Sequence, residues 1–333
     1  FDRHTRGDMT PYAYKTSDYG ASWTSIVTDE VDGFARSLQE DYENPDLLFL
    51  GTEFGLYITL YGGLSWTPFR KNVPPVAVHH IELHKKSNDL VLGTHGRGVI
   101  IIDDISPLRA LNREVLSETL YFFDTPPSVI DETSSFGSST VSTQFVGRNP
   151  SDNASLKYYM KSRHTFGKMS MEIQDMEGNT ISELEAGKSK GINIVEWAGR
   201  RKSPKVAQGK TVASGGSIPP EVPAGMYKAV ITKGRNTYEH PFELVYADNG
   251  ISDAARQAKY ETTMDLYDMT QQLAYLVYQV DAFLQQAEAA GDKRELRKLT
   301  ELKEALVVTT GDNYTGRAEP RLREKLAELY SKV

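Results

Sequence analysis

The sequence contains no cysteine, which excludes disulfide bonds, thiolate metal sites and cysteine nucleophiles together. No stretch approaches the roughly 18 consecutive apolar residues that a membrane-spanning helix needs. The net charge of -7 is modest for 333 residues and is spread along the chain, without the basic stripe of nucleic-acid binders. We therefore expect no membrane span and no nucleic-acid partner, and we predict no cofactor.

The length and the first residue bear on domain organisation. At 333 residues the chain exceeds what one hydrophobic core usually organises, so we expect two or three domains. Its first residue is Phe1 and not a methionine, and its first residues show no signal-peptide pattern. We expect it to be the carboxy-terminal part of a larger protein.

Two sequence words recur in the first third of the chain at nearly one offset. GTEFGLYI at residues 51–58 returns as GTHGRGVI at residues 93–100, 42 residues later. TSDYGASW at residues 16–23 returns as TLYGGLSW at residues 59–66, 43 residues later. A repeat of about 40 to 45 residues built from short β-type runs is typical of one four-stranded propeller blade.

The number of predicted strands indicates an incomplete ring. Runs rich in Val, Ile and Leu predict strands at residues 76–83, 90–93 and 99–103. From residue 11 to residue 104 we count half a blade, one full blade and most of another, whereas closed propellers have about four to eight blades. Because proteins avoid long exposed strand edges, we expect the missing blades to come from upstream sequence or another chain.

The word at residues 16–23 resembles the Asp-box, Ser/Thr-x-Asp-x-Gly-x-x-Trp, of sialidases and sortilin-type receptors. We predict four structural residues in it: Thr16, Asp18, Gly20 and Trp23. Asp18 is expected to accept backbone hydrogen bonds in its own turn, Gly20 to supply a positive φ angle, and Trp23 to pack between blade layers. The second copy has Tyr61 in place of the aspartate, so its turn must be held another way.

The order of several words over about 110 residues carries a family resemblance. These words are FDRH at residues 1–4, PY at residues 11–12, the Asp-box, residues 48–55, residues 72–78, residues 94–98 and residues 102–104. Together they are similar to the large bacterial sortilin-like, BNR-repeat proteins often labelled glycosyl hydrolases. The resemblance implies the end of a propeller and a secreted, periplasmic or cell-surface location in bacteria.

The Asp-box resemblance also suggests a ligand face. If the Asp-box joins the third and fourth strands of a blade, the Gly-Thr word joins the second and third, at the other end of the blade. In Asp-box hydrolases that end is the ligand face, so we predict Glu53, His95 and Arg97 as ligand-face residues. In the alternative, residues 95–98 are only a tight turn and Arg97 bridges to a neighbouring blade. The histidines within residues 79–84 are predicted to be strand residues rather than metal ligands.

A second β region follows the repeats. Residues 131–143 are rich in Ser and Thr and are typical of a linker. Strands are predicted at residues 155–162, 168–174, 180–184, 192–197, 225–233 and 237–245. About seven short strands in roughly 100 residues favour an immunoglobulin-like sandwich. The predicted domains are terminal propeller blades at 1–125, a linker at 126–145, an immunoglobulin-like β-sandwich at 146–248 and a helical hairpin region at 249–333.

From residue 252 the apolar spacing becomes that of a helix. One stripe, advancing by three and four, consists of Leu266, Met269, Leu273, Leu276, Val280, Phe283 and Ala287. Gly291 is expected to end this helix, residues 293–308 repeat the stripe, and residues 320–330 begin another helix. We predict that the stripe forms an intramolecular core; a partner-binding face is the alternative.

The sequence as a whole predicts a mainly β protein with a C-terminal α region and leaves two functions open. The first is an extracytoplasmic propeller module that binds a protein or glycan, with the upstream blades and an envelope complex as partners. The second is a glycoside hydrolase, sialidase-like or sortilin-like, whose catalytic residues lie mostly upstream. Glycoside hydrolysis usually needs two carboxylates about 5 to 9.5 Å apart, for which this chain offers Glu53, Asp103 and Asp104.

Overall fold

A computed structural model describes residues 3–132, 153–211, 216–310 and 319–333 of the chain. Within these residues the protein is mainly β, with several sheets and a C-terminal helical region, which confirms the predicted fold class at this level. The chain divides into two compact units. The first unit consists of Phe1–Phe123, Lys157–Arg163 and Ser189–Asn193, and the second consists of Asp124–Leu156, His164–Lys188 and Ile194–Val333.

The described part of the first unit begins with three small sheets. Their strands are β1 (Tyr14–Lys15), β2 (Thr24–Ser25), β3 (Ala35–Glu40), β4 (Leu48–Thr52), β5 (Gly55–Thr59), β6 (Thr67–Phe69), β7 (Val78–His84), β8 (Asp89–Thr94) and β9 (Val99–Ile102). Sheet orders are β1-β2, β3-β4-β5-β6 and β7-β8-β9, and every pairing is antiparallel between consecutive strands. The three sheets have two, four and three strands, and their assignment to propeller blades stays a prediction.

Apolar cores lie on both faces of the four-stranded sheet. One core joins that sheet to the three-stranded sheet and includes Leu47, Phe49, Leu56, Val78, Ile81, Leu83, Leu90 and Leu92. The other joins it to the segment that carries β1 and β2 and includes Ala13, Ile26, Leu48, Leu50, Tyr57 and Trp66. Successive strand residues point to opposite faces, so burial of all five β4 residues means that this sheet is covered on both sides.

The next elements include three that the sequence analysis did not predict. The helices α1 (Ser106–Ala110) and α2 (Arg113–Ser117) follow β9, and a short strand forms inside the range predicted as a linker. That strand, β11 (Ser128–Ile130), pairs in parallel with β17 (Asn236–Tyr246). Residues 133–145 of the predicted linker lie outside the described residues.

The second β region forms two sheets. Its other strands are β10 (Leu120–Phe122), β12 (Ala154–Met160), β13 (Met169–Gln174), β14 (Thr180–Leu184), β15 (Gly191–Trp197) and β16 (Gly225–Lys233). The sheet orders are β10-β12-β15 and β11-β17-β16-β13-β14. The predicted strands agree with the observed ones to within two residues at each end, whereas the immunoglobulin-like assignment and the domain bounds stay predictions.

The C-terminal helical region contains α3 (Asp253–Ala290), α4 (Lys293–Leu306) and α5 (Leu322–Tyr330). Gly291 ends α3 at a φ of 70°, as predicted, and the Asp292 side chain caps α4 by accepting hydrogen bonds from two backbone N–H groups. A core between the helices includes Ala207, Leu273, Val277, Val280, Leu306 and Val307. Among the helices in the described ranges, none combines the length and apolar character required to cross a bilayer.

The predicted apolar stripe of α3 is only partly core. Leu273, Val280 and Ala287 are buried as expected. The three residues on the adjacent line of the helix surface are exposed instead: Met269 is 50% exposed, Leu276 41% and Phe283 55%. An apolar stripe that advances by three and four residues is wide enough for one side of it to remain exposed. The prediction that the whole stripe forms an intramolecular core is therefore wrong for Met269, Leu276 and Phe283.

Candidate functional site

The predicted ligand-face residues lie in two turns at the same end of neighbouring sheets. Glu53 is in the β4–β5 turn, and His95 is in the β8–β9 turn. These ends touch, because Ser37 Oγ, near the start of β3, donates a hydrogen bond to Val78 O, at the start of β7, at 3.1 Å. A Cβ at Gly51 would lie 2.6 Å from the same oxygen, so only glycine permits this approach.

Glu53 is part of an array of charged and aromatic side chains. The Arg36 Nε donates a hydrogen bond to Glu53 Oε2 at 2.6 Å. The same guanidinium lies 4.5 Å from the centroid of the Phe34 ring. His4 stacks on Phe34 with centroids 4.2 Å apart. Phe54, next to Glu53, is 50% exposed. This aromatic and charged surface, defined by His4, Phe34, Arg36, Glu53 and Phe54, is called the turn-end surface below.

His95 has a histidine partner that the sequence analysis assigned only to a strand. The His95 ring lies parallel to the His79 ring, with centroids 5.5 Å apart. Thr94 donates hydrogen bonds to Gly98 O from its backbone N–H, at 3.0 Å, and from its Oγ1, at 2.7 Å, which makes the turn tight. Arg97 is exposed and has no ion pair among the described residues. The part of the chain that the structure describes contains no group of three or more histidine or carboxylate side chains placed to hold a metal ion.

The Asp-box turn is held by its own side chains. The Asp18 carboxylate accepts hydrogen bonds from Ser22 N at 2.8 Å and Ser22 Oγ at 2.7 Å, and Thr16 Oγ1 accepts from Gly20 N at 2.8 Å. Gly20 has the expected positive φ, 91°. Hydrogen bonds from the Ser22 hydroxyl, the Ser22 backbone and the Thr16 hydroxyl lower the pKa of Asp18 to about 2. These contacts give Asp18 a structural role.

The two tryptophans of the repeat differ in burial. Trp23 is 61% exposed among the described residues, and its packing between blade layers stays a prediction. Trp66, its counterpart in the second copy, is buried and donates from Nε1 to Ile26 O at 2.7 Å. Only the second copy has a layer over its tryptophan within the described residues. In the second turn Thr59 Oγ1 accepts from Tyr61 N at 3.1 Å and Gly63 N at 3.2 Å, the same two bonds that its counterpart Thr16 accepts from Asp18 N and Gly20 N.

The other carboxylate considered for chemistry is committed to structure. Asp104 forms an ion pair with Lys157, and its Oδ1 accepts from Ser106 N at 3.0 Å at the start of α1. Burial raises the pKa of Asp104, but the hydrogen bonds from Lys157 and Ser106 and the Lys157 charge lower it further, so the pKa lies below its ordinary value. A general acid needs the opposite shift, towards the working pH. Asp103, the third candidate, is exposed to solvent.

The sequence analysis found Glu53 and His95 but missed their partners. Arg36 lies 17 residues before Glu53, and no local pattern connects them. His79 is exposed and lies between the buried Val78 and the exposed His80, at a bulge near the start of β7, so nothing local distinguishes it from an ordinary outward-facing strand residue. Only the tertiary pairing of β3 with β4, and of β7 with β8, brings these side chains together.

Comparisons with known proteins add little to this geometry. No family model matches the chain, and no curated protein matches it. It is similar to the solved structure of PorZ, a bacterial surface component of the type-IX secretion system of Porphyromonas gingivalis. The identity is 13% over 70% of this chain and 25% of that chain, with a TM-score of 0.23.

A second solved structure is the extracellular domain of a candidate one-component system from B. thetaiotaomicron. The identity is 9% over 70% of this chain and 28% of that chain, with a TM-score of 0.21. This chain therefore spans about a quarter of the length of the two solved structures. Neither likeness is strong enough to carry an argument about function.

Proposed function

We propose that this chain is part of an extracytoplasmic binding module and that the turn-end surface holds a protein or glycan partner. The observation that carries the proposal is the array in which Arg36 is fixed between the Glu53 carboxylate and the Phe34 ring, beside the exposed Phe54. A guanidinium held in one plane retains less side-chain freedom to lose on binding. Arginine and aromatic side chains are also the types that contribute most to binding energy at interfaces.

The Phe54 ring lies close against the backbone at Gly33. Gly33 has a φ of 77°, and a Cβ there would lie 2.7 Å from Phe54 Cδ2. Gly33 therefore lets the Phe54 ring lie directly against the backbone while half of its surface remains in contact with solvent. An exposed ring that is held in place is suited to stacking on a sugar or an aromatic or apolar side chain.

The proposal includes the larger assembly. Three consecutive antiparallel sheets, stacked through apolar cores and repeating with the 42 to 43 residue offset, support their assignment as propeller blades. On this proposal the remaining blades, the upstream sequence and a bacterial envelope complex are its partners. The secreted, periplasmic or cell-surface location comes from the resemblance to the sortilin-like proteins.

A glycoside hydrolase is the alternative function. Two of the carboxylates that this chain offers are engaged by cations, Glu53 by Arg36 and Asp104 by Lys157. These contacts favour roles in holding structure over proton transfer. A hydrolase would therefore need catalytic residues outside this chain, as the resemblance implies, and activity of the longer protein on a panel of glycans would support that alternative.

The binding proposal is tested with two matched variants of exposed apolar residues at opposite ends of β5. Phe54→Ala changes the turn-end surface, and Leu64→Ala changes the β5–β6 turn, where Leu64 is also exposed. The assays are a glycan array and cross-linking capture from a bacterial envelope extract. We expect the wild type and Leu64→Ala to bind alike and Phe54→Ala to bind at least about tenfold more weakly, the effect of losing one strong interface side chain.

Two results would contradict the proposal. In the first, Phe54→Ala binds its partner as tightly as Leu64→Ala. In the second, the wild type gives no signal above a scrambled control in either arm. Thermal unfolding of both variants serves as the control for folding, since neither side chain is buried.

A further inference from the structure

The second unit contains a cleft of its own. It has a volume of about 220 Å³. It is lined by the extended segment 218–223, by the first turns of α3 and by Tyr246 and Tyr330. Sites for drug-sized ligands typically have volumes of about 300 to 1,000 Å³, so this cleft suits a small ligand or one end of a larger one.

The wall made by residues 218–223 presents largely apolar surface, because four of its six carbonyl groups accept hydrogen bonds within the protein. The Ile218 carbonyl accepts from Tyr330 Oη at 2.8 Å, and the Pro219 carbonyl accepts from Arg200 Nη1 at 3.0 Å. The Pro220 carbonyl accepts from a backbone N–H at 2.9 Å, and the Pro223 carbonyl accepts from a tyrosine hydroxyl at 2.7 Å. What remains for a ligand is the proline rings and the Ile218 side chain.

The buried charges of the cleft balance each other. The Arg256 Nε donates to Glu132 Oε2 at 2.8 Å, and both side chains are nearly nine-tenths buried. The Arg256 Nη2 donates to Asn249 Oδ1 at 2.8 Å, and its guanidinium lies 4.1 Å from the centroid of the Tyr246 ring. Glu221, the other side-chain carboxylate of the lining, pairs with Arg200. Both side-chain carboxylates of the lining are therefore already paired with arginines.

Two hydrogen-bond donors of the lining remain available. Lys259 is exposed, and within the described ranges its ammonium group has neither an ion pair nor a hydrogen bond. The Tyr260 hydroxyl accepts from Arg201 Nη1 at 3.1 Å, which uses an oxygen lone pair and leaves the hydroxyl proton to donate. The two residues are adjacent in α3, and both line the cleft. A ligand that fits this arrangement has to supply acceptors and negative charge.

We propose that the cleft binds a small organic carboxylate, whose oxygens accept hydrogen bonds from Lys259 Nζ and Tyr260 Oη. Its apolar body lies against the proline wall. The unpaired Lys259 ammonium group favours an anionic ligand, and the volume of the cleft limits the size of that ligand. Because most carbonyl groups of the proline wall already accept hydrogen bonds, the wall favours an apolar ligand body over a polar one. This inference concerns the second unit and holds whether or not the turn-end surface binds a partner.

The test uses benzoate and cyclohexanecarboxylate as probes and benzamide as the neutral analogue of the first. Affinities are measured on the full chain by ¹H–¹⁵N NMR titration. A carboxylate of this size is expected to bind with a Kd of about 1 mM, and benzamide at least about tenfold more weakly because it lacks the charge. Lys259→Met, which keeps an unbranched apolar side chain, is expected to weaken carboxylate binding by about tenfold or more, and Tyr260→Phe by about threefold to tenfold.

Lys298→Met is the matched control, because Lys298 is an exposed lysine of α4 that does not line the cleft. It is expected to bind the carboxylates like the wild type. The inference is overturned if benzoate and benzamide bind equally, if Lys259→Met binds benzoate as tightly as Lys298→Met, or if neither carboxylate shifts resonances of residues 218–223 and 256–263.

Discussion

The strongest stability prediction concerns the buried ion pair between Asp41 and Arg109 in the first unit. Arg109 Nε donates to both carboxylate oxygens of Asp41, at 3.0 and 2.9 Å, and Nη2 donates to Oδ1 at 2.8 Å. The Arg109 side chain is 10% exposed and that of Asp41 is 0% exposed. The pair connects the residue after β3 to α1, 68 residues later. We predict that Arg109→Met strongly destabilises this unit.

The magnitude follows from what the substitution leaves behind. The Asp41 carboxylate would keep only the backbone N–H groups of Glu43, at 3.0 Å, and Asn44, at 2.9 Å, in a site without water access. Removing one partner of a buried ion pair costs about 3 to 5 kcal/mol, or roughly two to three and a half orders of magnitude in the unfolding equilibrium. The double variant Asp41→Asn, Arg109→Met should recover part of this loss, because no charge is then buried alone.

The pH dependence of this loss has a definite sign. Burial raises the pKa of Asp41, but the hydrogen bonds and charge of Arg109 and the two backbone N–H groups lower it further, so it lies below its ordinary value. A depressed pKa contributes stability that is present above the unfolded value of about 3.9 and is lost as the pH falls through the folded value. Without Arg109, burial dominates and the shift reverses. The deficit of Arg109→Met should therefore be largest near pH 7 and should narrow as the pH falls through the raised pKa of Asp41 in the variant, which lies above the unfolded value.

The assay is urea-dependent hydrogen exchange of β3–β5 peptides, which reports on this unit alone. The control is Arg297→Met, followed by exchange of α4 peptides in the second unit, which breaks an exposed pair with Glu301 and should cost less than about 0.5 kcal/mol there. A loss for Arg109→Met below about 1 kcal/mol at pH 7, or a deficit that grows towards acid pH, would refute the reasoning.

Two further pairs of variants test the packing. Leu273→Ala, at a buried position of α3, should lower the free energy of unfolding by about 2 to 5 kcal/mol, whereas Leu276→Ala, at an exposed one, should cost under about 1 kcal/mol; equal losses in urea unfolding would show that the exposed edge of α3 is covered. Gly63 and Gly178 both have φ above 90°, but only at Gly63 would a Cβ meet a neighbour, 2.6 Å from Ile26 Cβ. Gly63→Ala should therefore lower the melting temperature further than Gly178→Ala, with an additional cost of about 1 to 3 kcal/mol, and a similar shift for both would count against the close packing of the two layers.

Local patterns predicted most of the secondary structure. The strands of both β regions and the end of α3 at Gly291 follow from alternation, helical spacing and turn residues, all of which act within a few positions of the chain. The short helices α1 and α2 were missed because five residues are too few to show a helical period. β11 was missed because the strand with which it pairs, β17, lies more than 100 residues away.

The candidate site was predicted less well than the fold. Glu53 and His95 were found because they follow repeated Gly-Thr words, but their contacts with Arg36 and His79 depend on strand pairing and sheet stacking. Burial on one side of α3 was also beyond the sequence, because the spacing gives the width of an apolar stripe but not which part another helix covers. The cleft that contains Lys259 has no local signature, since the wall facing it comes from residues 218–223.

The most direct test of the central claim is to locate the bound partner by hydrogen exchange. A glycan or protein recovered in the binding assays is added to the chain, and protection is mapped at peptide resolution. The account predicts slower exchange in residues 33–37, 53–56 and 94–98, and no change in the Asp-box turn at 16–23. Protection confined to the Asp-box turn or to the second unit would contradict it.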